Sequence, residues 1–523
     1  MGLMSDSIDC FAGCEHIHMI GPQEAKAPRE PRRYEIRRAQ ARYDSAQTTD
    51  DNRKHWAWAD SLAADAANMP GVRLVLRNRS RYEVANNSYA RGIILTLAND
   101  TIGTGPRLHM SSSSAAVNVF VKQEFSRWAA AIHLPEKLRT MRMSRAQDGE
   151  AFALFRTNPN LSTRVKLDVG LIEADQVATT DAALFSVPSV DGIELDEQGN
   201  PLYYHVLKVH PGMYAYLTGT TGFPWEYDRW PKDLVLHWFR PDRPGQHRGI
   251  PEITPALPLF AQLRRYTLAV IDAAESAALI AAVIQAKTPL SDPDEIETPT
   301  SYDLIELERR MATVLPEGFE LHQLRAEQPT TTYPEFKKEI LNEIGRCLNM
   351  PFNIVAGNSA GYNYASSQSD QNIYYRSIDV DRDDCGAEVL DRIFEAWFEE
   401  AVLIEGYLPQ EARTIDFDPT HQWFWDGREH ADPTKAANAQ DMHLKNHSTT
   451  YAFEYAKQGR DWESELRQRA KELRLMRKLG LFIPEPPATN PDQSPGEDTL
   501  EEDDDSYDAD LLPIGNTSVP EED

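Results

Sequence analysis

Residues 334–402 read as two helices with a loop between them, and the rest of the chain must accommodate that rigid pair. Pro334-Glu335-Phe336-Lys337-Lys338-Glu339-Ile340-Leu341 opens the first helix. Phe336, Ile340, Ile344 and Leu348 recur every four positions with Leu341 beside them, so one face is built for burial. Glu335 and Glu339, in or near the first turn, complement the helix dipole. Asn349-Met350-Pro351 breaks the pattern, and a second helical pattern runs from about Ser366 to Val402. In it Val389, Ile393 and Trp397 form one apolar row and Leu390, Phe394 and Phe398 the adjacent one, an ordinary core face. Glu388, Asp391, Glu395, Glu399 and Glu400 then read as a solvated face. The intervening loop, Gly357-Asn358-Ser359-Ala360-Gly361-Tyr362-Asn363-Tyr364, is small, polar and aromatic at once. Loops of that kind, longer than a connector requires, usually carry function.

The chain has 523 residues, enough for two to four domains at ~100–200 residues each. Its net charge is -28, but residues 491–523 hold thirteen Asp/Glu and no Lys/Arg, leaving -15 for residues 1–490. Such a stretch is expected to be a solvated, disordered tail. An acidic chain is not expected to hold nucleic acid non-specifically, because that affinity comes from cations neutralising phosphates. Cys10, Cys14, Cys347 and Cys385 do not form a disulfide framework, which points to a reducing compartment. The N-terminal residues show no signal-peptide pattern. Cys10, Cys14, His16 and His18 have metal-ligand residue types, but their spacing matches no closed zinc motif and no second pair follows. They read as a chance cluster in a flexible arm over 1–28, with no metal and no cofactor implied.

Along the chain, six Arg against two Glu occupy 29–43, and helical patterns continue through Trp56, Trp58 and Leu62 and again from Val72 to Asp100. Gly103-Thr-Gly-Pro106 closes that block without the features of a phosphate or dinucleotide loop. Another helix is expected over Val117–Ile132. From about 150 the period becomes two, giving strands over Ala151–Arg156, Val165–Glu173, Leu202–Val209 and Leu234–Arg240, with a turn at Asp196–Pro201. The whole is α+β and predominantly helical. After a proline-rich elbow at 240–251, a long helix is expected from about 254 to 287, stopped by Pro289. From 258 to 287 it would be ~45 Å long at 1.5 Å per residue. Ten alanines between 256 and 286, among them Ala273, Ala274, Ala277, Ala278 and Ala281, let neighbours approach closely. Residues 288–333 form a small insertion with an acidic loop, Asp292-Pro-Asp294-Glu295, and an extended piece, Glu320–Leu324. Residues 431–480 read as further helix with Gly480 as a C-cap.

Two sharper readings fail on context. Gly357-Asn-Ser359-Ala-Gly361 matches the nucleophile elbow of α/β-hydrolases, Phe352–Ala356 precedes it like a strand, and Asp416, Asp418 and His421 follow in the right order. However, polar loop follows the serine where the elbow needs a helix, and no oxyanion segment precedes it. Residues 266–286 are apolar enough to raise a membrane span. Asp272 and Glu275 inside it would each cost ~2.5–3.5 kcal/mol near a bilayer centre, so a buried helix is the better reading. His205, His210, His237 and His247 read as structural.

Several stretches resemble the lambda-type family of tailed-bacteriophage portal proteins: Tyr82–Gly92, Leu97–Pro106, His237–Pro251, Met350–Ile354 and Gly361–Ser367. With the order of parts, the resemblance spans about 33–480. It implies a non-enzymatic subunit of a dodecameric ring at one capsid vertex. On that plan 29–250 is a mixed α+β wing, 251–287 and 334–350 stem helices and 288–333 a clip. A tunnel loop follows at 351–366, a long core helix at 367–405, a wing return at 406–430 and a crown-like helical region at 431–484, with the acidic tail after 485. The implied partners are further copies of the chain, double-stranded DNA sliding without sequence specificity, terminase, capsid or scaffolding protein, and head-tail completion proteins. No small-molecule substrate and no membrane are implied. The protein would reside in the virion, and in the host cytoplasm during assembly. Asn358, Ser359, Tyr362, Asn363 and Tyr364 would touch DNA, Asp292, Asp294 and Glu295 would meet docking partners, and the five alanines would pack the stem.

Overall fold

The computed structural model of the chain describes residues 53–57, 59–179, 188–213, 226–279, 283–286, 319–322, 332–361, 363–414, 417–428 and 433–481. By contacts the chain divides after Ala63. In the first unit the described residues form a turn over 53–57, so the helix expected through Trp56 is not formed there. Its hydrogen bond, Ala59 N to the Trp56 carbonyl, belongs to a turn.

The second unit opens with α1 (Ala64–Ala67), α2 (Pro70–Asn86) and α3 (Ser88–Thr101). The helical pattern expected from 72 to 100 is thus two helices. They part at Asn87, whose side chain leaves the helix to accept from Tyr89 N and Ala90 N as an N-cap. After β1 (Arg107–Met110) come α4 (Ala115–Ala131) and α5 (Leu134–Asp148). The sequence reading missed α5, because four of its seven inward positions, Arg142, Arg145, Ala146 and Asp148, are charged or small and blur the apolar period.

The sheet region follows. A three-stranded antiparallel sheet has the order β3 (Leu167–Ile172), β2 (Glu150–Thr157), β8 (Val235–Phe239). A second has β4 (Ser189–Val190), β5 (Ile193–Leu195), β6 (Pro201–Leu207) and β7 (Tyr227–Pro231) in sequential order. The central strand β2 shows why the period of two was legible. Ala151, Ala153 and Phe155 face one core while Phe152 and Leu154 face another.

Next comes α6 (Leu257–Leu279). The expected continuation to 287 is corrected: Val283–Ala286 is a strand, β9, paired antiparallel with β10 (Phe319–His322). Val283 and Ile284 are β-branched and favour the paired extended state. Then α7 (Thr332–Arg346), α8 (Phe352–Ala356) and α9 (Tyr364–Cys385) lead through one π turn at Gly386–Leu390 into α10 (Asp391–Leu403). Strand β11 (His421–Phe424) returns to pair with β1. Three helices finish the described chain: α11 (Pro433–Lys445), α12 (Tyr451–Lys457) and α13 (Trp462–Lys478).

Two helical cores result. One gathers Trp128 and Phe125 of α4, Trp238 of β8, and Val389, Leu390, Ile393, Phe394 and Trp397, all within 4% of full burial. This is the core face expected from the two rows, with Phe398 packed at its margin. The other gathers Ile93, Ile94 and Leu97 of α3, Leu257, Phe260 and Leu263 of α6, Ile340, Leu341 and Ile344 of α7, and Tyr374 and Ile378 of α9. Phe336 departs from the expected stripe: it is exposed and meets Tyr266 of α6 edge-on at 4.7 Å.

Candidate functional site

The loop between α7 and α9 is held by a sequence of specific backbone devices. Leu348 N and Met350 N both donate to the Gly345 carbonyl, turning the chain out of α7 at the left-handed Asn349 (φ 53°). Gly345 is required there, because a Cβ would lie 2.4 Å from the Met350 carbonyl oxygen. The Pro351 carbonyl then accepts from Ile354 N and Val355 N, opening α8. Residues 352–356 are therefore a helical turn and not the strand read from sequence. Gly357 ends it at φ 60°, the conformation most open to glycine. In the exposed segment that follows, Asn358 Oδ1 accepts from Ala360 N at 2.9 Å. Asn363 Oδ1 accepts from Ser366 N at 2.8 Å and so caps α9, which starts two residues earlier than expected.

The structure thus places Asn358, Ser359 and Asn363 on one exposed loop. Tyr364 lies in the first turn of α9. Tyr362 and the Tyr364 side chain are outside the described residues. Residues 347–369 contain no charged side chain in a chain that is 26% charged. The loop can therefore offer hydrogen bonds and apolar contact, and no ion pair.

Its anchorage is buried and charged. Below the loop the Tyr374 hydroxyl, fully buried, donates to Asp100 Oδ2 at 2.7 Å. Burial and the adjacent carboxylate push the Tyr374 phenol far up, and burial raises the Asp100 carboxyl. Two turns further, Asp381 of α9 accepts from Arg142 (2.7 Å) and Arg145 (3.1 Å) of α5. The same arginines reach Glu252, in the elbow before α6, at 3.1 and 3.0 Å. Arg145 also lies over the Trp238 ring at 4.9 Å. Both guanidinium groups are within 2% of full burial. Burial would raise the Glu252 carboxyl, but the charges of Arg142 and Arg145 outweigh it and hold it low. This tetrad joins α5, the root of α6 and the loop-bearing α9.

A second ionic core locks the elbow to the sheets. Glu150 is fully buried and accepts from Arg248 at 2.7 and 2.9 Å, from Arg77 at 3.2 Å and from Gly249 N at 3.1 Å. Burial opposes its charge, yet Arg248 and His237 hold the carboxyl well below the usual range. Arg73 is so enclosed that burial lowers it to about 9. The sequence reading missed these residues because their partners lie far away in the chain. The available signal was local: Arg142 and Arg145 sit beside Leu138 and Met141 on the inward side of a helix, and Glu150 opens an apolar strand.

The histidines read as structural are engaged as such. His205 meets Glu194 at 2.6 Å, His237 meets Glu150 at 3.2 Å, and His247 meets Asp65 at 2.7 Å. His210 lies with Glu173 and Asp175, their ligand atoms within 4.8 Å of one another, but Arg81 Nη2 already sits 3.2 and 2.8 Å from the two carboxylates. Where they are described, the partners considered for Ser359 are engaged elsewhere. His421 is committed to the Pro419 carbonyl and Asp391, and Asp418 accepts from Thr420, while Asp416 is outside the described residues.

Two members of the expected solvated face are not free. Asp391 accepts from Trp423 Nε1 at 2.6 Å, and Glu400 accepts from Lys166 N at 2.6 Å, because β11 and β3 pack against α10. On α6, Ala273 and Ala274 are half-buried. Leu268 and Ile271 are exposed within this chain, so the expected burial of that helix is not met by the described residues alone. The side chains of Ala277 and Ala278 lie outside the described residues, as do Ala281, Asp292, Asp294, Glu295, the Cys10–His18 cluster and the stretch after 481. Among the described residues no helix is long and apolar enough to cross a membrane.

Comparison with known proteins bears on this arrangement. The family model described as phage portal protein, lambda family, matches residues 50–382. A probable portal protein of Halomonas phage phiHAP-1 is 25% identical over 436 residues, covering 79% of this chain and 82% of the relative. Portal protein B of Escherichia phage lambda is 21% identical over 491 residues, covering 81% and 88%. Among solved structures, a chain from the neck of an empty GTA particle computed with C6 symmetry covers 76% of this chain and 97% of its own length, at 14% identity and a TM-score of 0.40.

Proposed function

This chain belongs to the lambda family of phage portal proteins, and from that premise we propose that copies of it, twelve on the family plan, close a ring at one capsid vertex. Double-stranded DNA enters and leaves through its channel. The family is structural, and the protein is a virion component, assembled in the host cytoplasm. The observation that carries the channel assignment is the loop over 357–363: exposed at its described residues, free of charge in sequence, and followed by a helix held by the Tyr374–Asp100 bond and the Arg142–Arg145–Glu252–Asp381 tetrad. A polymer of phosphates slides past a surface that offers no cations, since each Lys or Arg contact adds a salt-dependent hold. Asn358, Ser359, Tyr362, Asn363 and Tyr364 make the transient contacts. α6 and α7 act as the stem, with Ala273, Ala274, Ala277, Ala278 and Ala281 packing against adjacent copies. The insertion at 288–333 is the clip, where Asp292, Asp294 and Glu295 meet the terminase and later the head-completion proteins. Residues 29–250 with 406–430 form the wing that meets capsid or scaffolding protein.

The test removes residues 357–364 from the full chain. Rings should still form under negative stain while the packaging rate or DNA retention falls. A loopless ring that packages and retains DNA as the parent does would remove the loop from the mechanism. A chain that stays monomeric at high concentration would count against the ring itself.

A further inference from the structure

Helix α13 is a basic helix in an acidic chain. It carries six Arg/Lys against three Glu and buries none of its side chains. Arg467, Lys471, Arg474 and Lys478 fall at i, i+4, i+7 and i+11, which places all four on one face. All four are exposed. Arg467 pairs with Glu463 at 3.2 Å. Lys471, Arg474 and Lys478 have no ion-pair partner among the described residues. Lys122, by contrast, is matched by Asp461 at 2.6 Å and Lys137 by Asp168 at 2.6 Å. Three of the four cations on this exposed face therefore stand without a counter-charge among the described residues.

The counter-charge is in the same chain. Residues 491–523 hold thirteen acids and no cation, nine of the acids between 497 and 510. We propose that this acidic stretch seats on the Arg467–Lys471–Arg474–Lys478 face of α13, in its own copy or an adjacent one. Reach allows it. Residues 479–490 span at most ~42 Å when extended, and the stripe from 467 to 478 is only ~17 Å long. Tethering gives the stretch a standing advantage over a free polyanion, because a linked partner acts at an effective concentration set by its linker. Single exposed pairs are weak, but here several carboxylates face several cations along one helix side. The consequence is that the stripe is masked from nucleic-acid phosphate while the acidic stretch is in place. This inference rests on charge and reach alone and stands apart from the channel assignment.

A zero-length carbodiimide cross-link on the full chain, mapped by mass spectrometry, tests it. At ~0.01 M salt, where charges act over ~30 Å, Lys471 or Lys478 should join to carboxylates within 497–510, and at ~1 M, with a ~3 Å screening length, the yield should fall about tenfold. Lys445–Asp441 and Lys122–Asp461, both at 2.6 Å, are built-in positive controls. The variant R467Q/R474Q keeps both lysines as handles and should lower the tail cross-links several-fold with the controls unchanged. Mixing isotopically labelled and unlabelled copies shows whether the stretch seats on its own helix. The proposal fails if the control links form and the tail links do not, or if R467Q/R474Q leaves them unchanged. It also fails if a duplex DNA binds the full chain at low salt and loses that binding in R467Q/R474Q, since the stripe would then be open to phosphate.

Discussion

Replacing Asp381 with Ala should destabilise the chain far more than an acid-to-alanine change on the same helical run normally does. Asp381 supplies one of the two carboxylates that Arg142 and Arg145 meet among the described residues, and their side chains are 2% and 1% exposed. Without it, two buried guanidinium groups share Glu252. Breaking a buried pair by removing one partner costs ~3–5 kcal/mol, mostly as the penalty of the charge left behind. Asp381 is itself 17% exposed, so water offsets part of the loss, which places the expected cost near the low end, about 3 kcal/mol. With a urea dependence of about 3 kcal/mol per M, suited to a large unfolding unit, the midpoint should drop by about 1 M. Tryptophan fluorescence is the direct readout, because Trp238 lies under Arg145, and far-UV dichroism followed alongside checks that both report one transition. Glu395→Ala, on the exposed side of α10, is the control and should stay within ~0.5 kcal/mol of the parent. Removing the whole tetrad as R142M/R145M/E252M/D381M should recover most of the stability, since a buried ionic group replaced by packed apolar atoms is often neutral. If Asp381→Ala unfolds where Glu395→Ala does, the tetrad does not hold α9. If the fourfold apolar variant is as weak as Asp381→Ala, the loss lies in shape and not in stranded charge.

Gly345→Ala should cost ~1–3 kcal/mol in the same urea measurement, because the added Cβ meets the Met350 carbonyl at 2.4 Å and the end of α7 must shift. A variant as stable as the parent would show that the chain exit from α7 is not so tightly specified. Acid should destabilise the fold through its buried carboxylates. Glu150 and Glu252 titrate below their usual 4.5 in the folded chain, so their contribution is complete above about 4.5 and is lost as the pH falls toward their folded values. The urea midpoint should ease down below about pH 6.5, because burial holds His237 and His109 low, and fall further below about pH 4.5, and this acid limb should be shallower in R142M/R145M/E252M/D381M. An equally steep fall in that variant would assign the acid sensitivity to other groups.

The loop and its flanking helices were legible because their signals are local. The four-residue spacing of Ile340, Ile344 and Leu348, and of Val389, Ile393 and Trp397, reports a buried face without knowledge of what covers it. Asn349-Met350-Pro351 reports a break for similarly local reasons. Phe352–Ala356 was misread because five apolar-rich residues fit a strand as well as a helical turn. The decision came from the Pro351 carbonyl and the left-handed Gly357 at its two ends. The 254–287 helix was read too long because β9 needs a partner, Phe319–His322, that lies over thirty residues away.

Sequence alone determined that the chain is α+β with helices dominating, that an uncharged loop joins an amphipathic helix to a long helical run, and that a family resemblance runs through most of its length. Those properties follow from periods of two and 3.6, from caps, and from the order of motifs, all of which act between near neighbours. Tertiary structure alone decided what holds the loop. Arg142 and Arg145 meet Asp381 across more than two hundred residues, and Glu150 meets Arg248 across ninety-eight. A charged side chain inside a core is tolerated only beside its counter-charge, and the fold determines which distant residue supplies it.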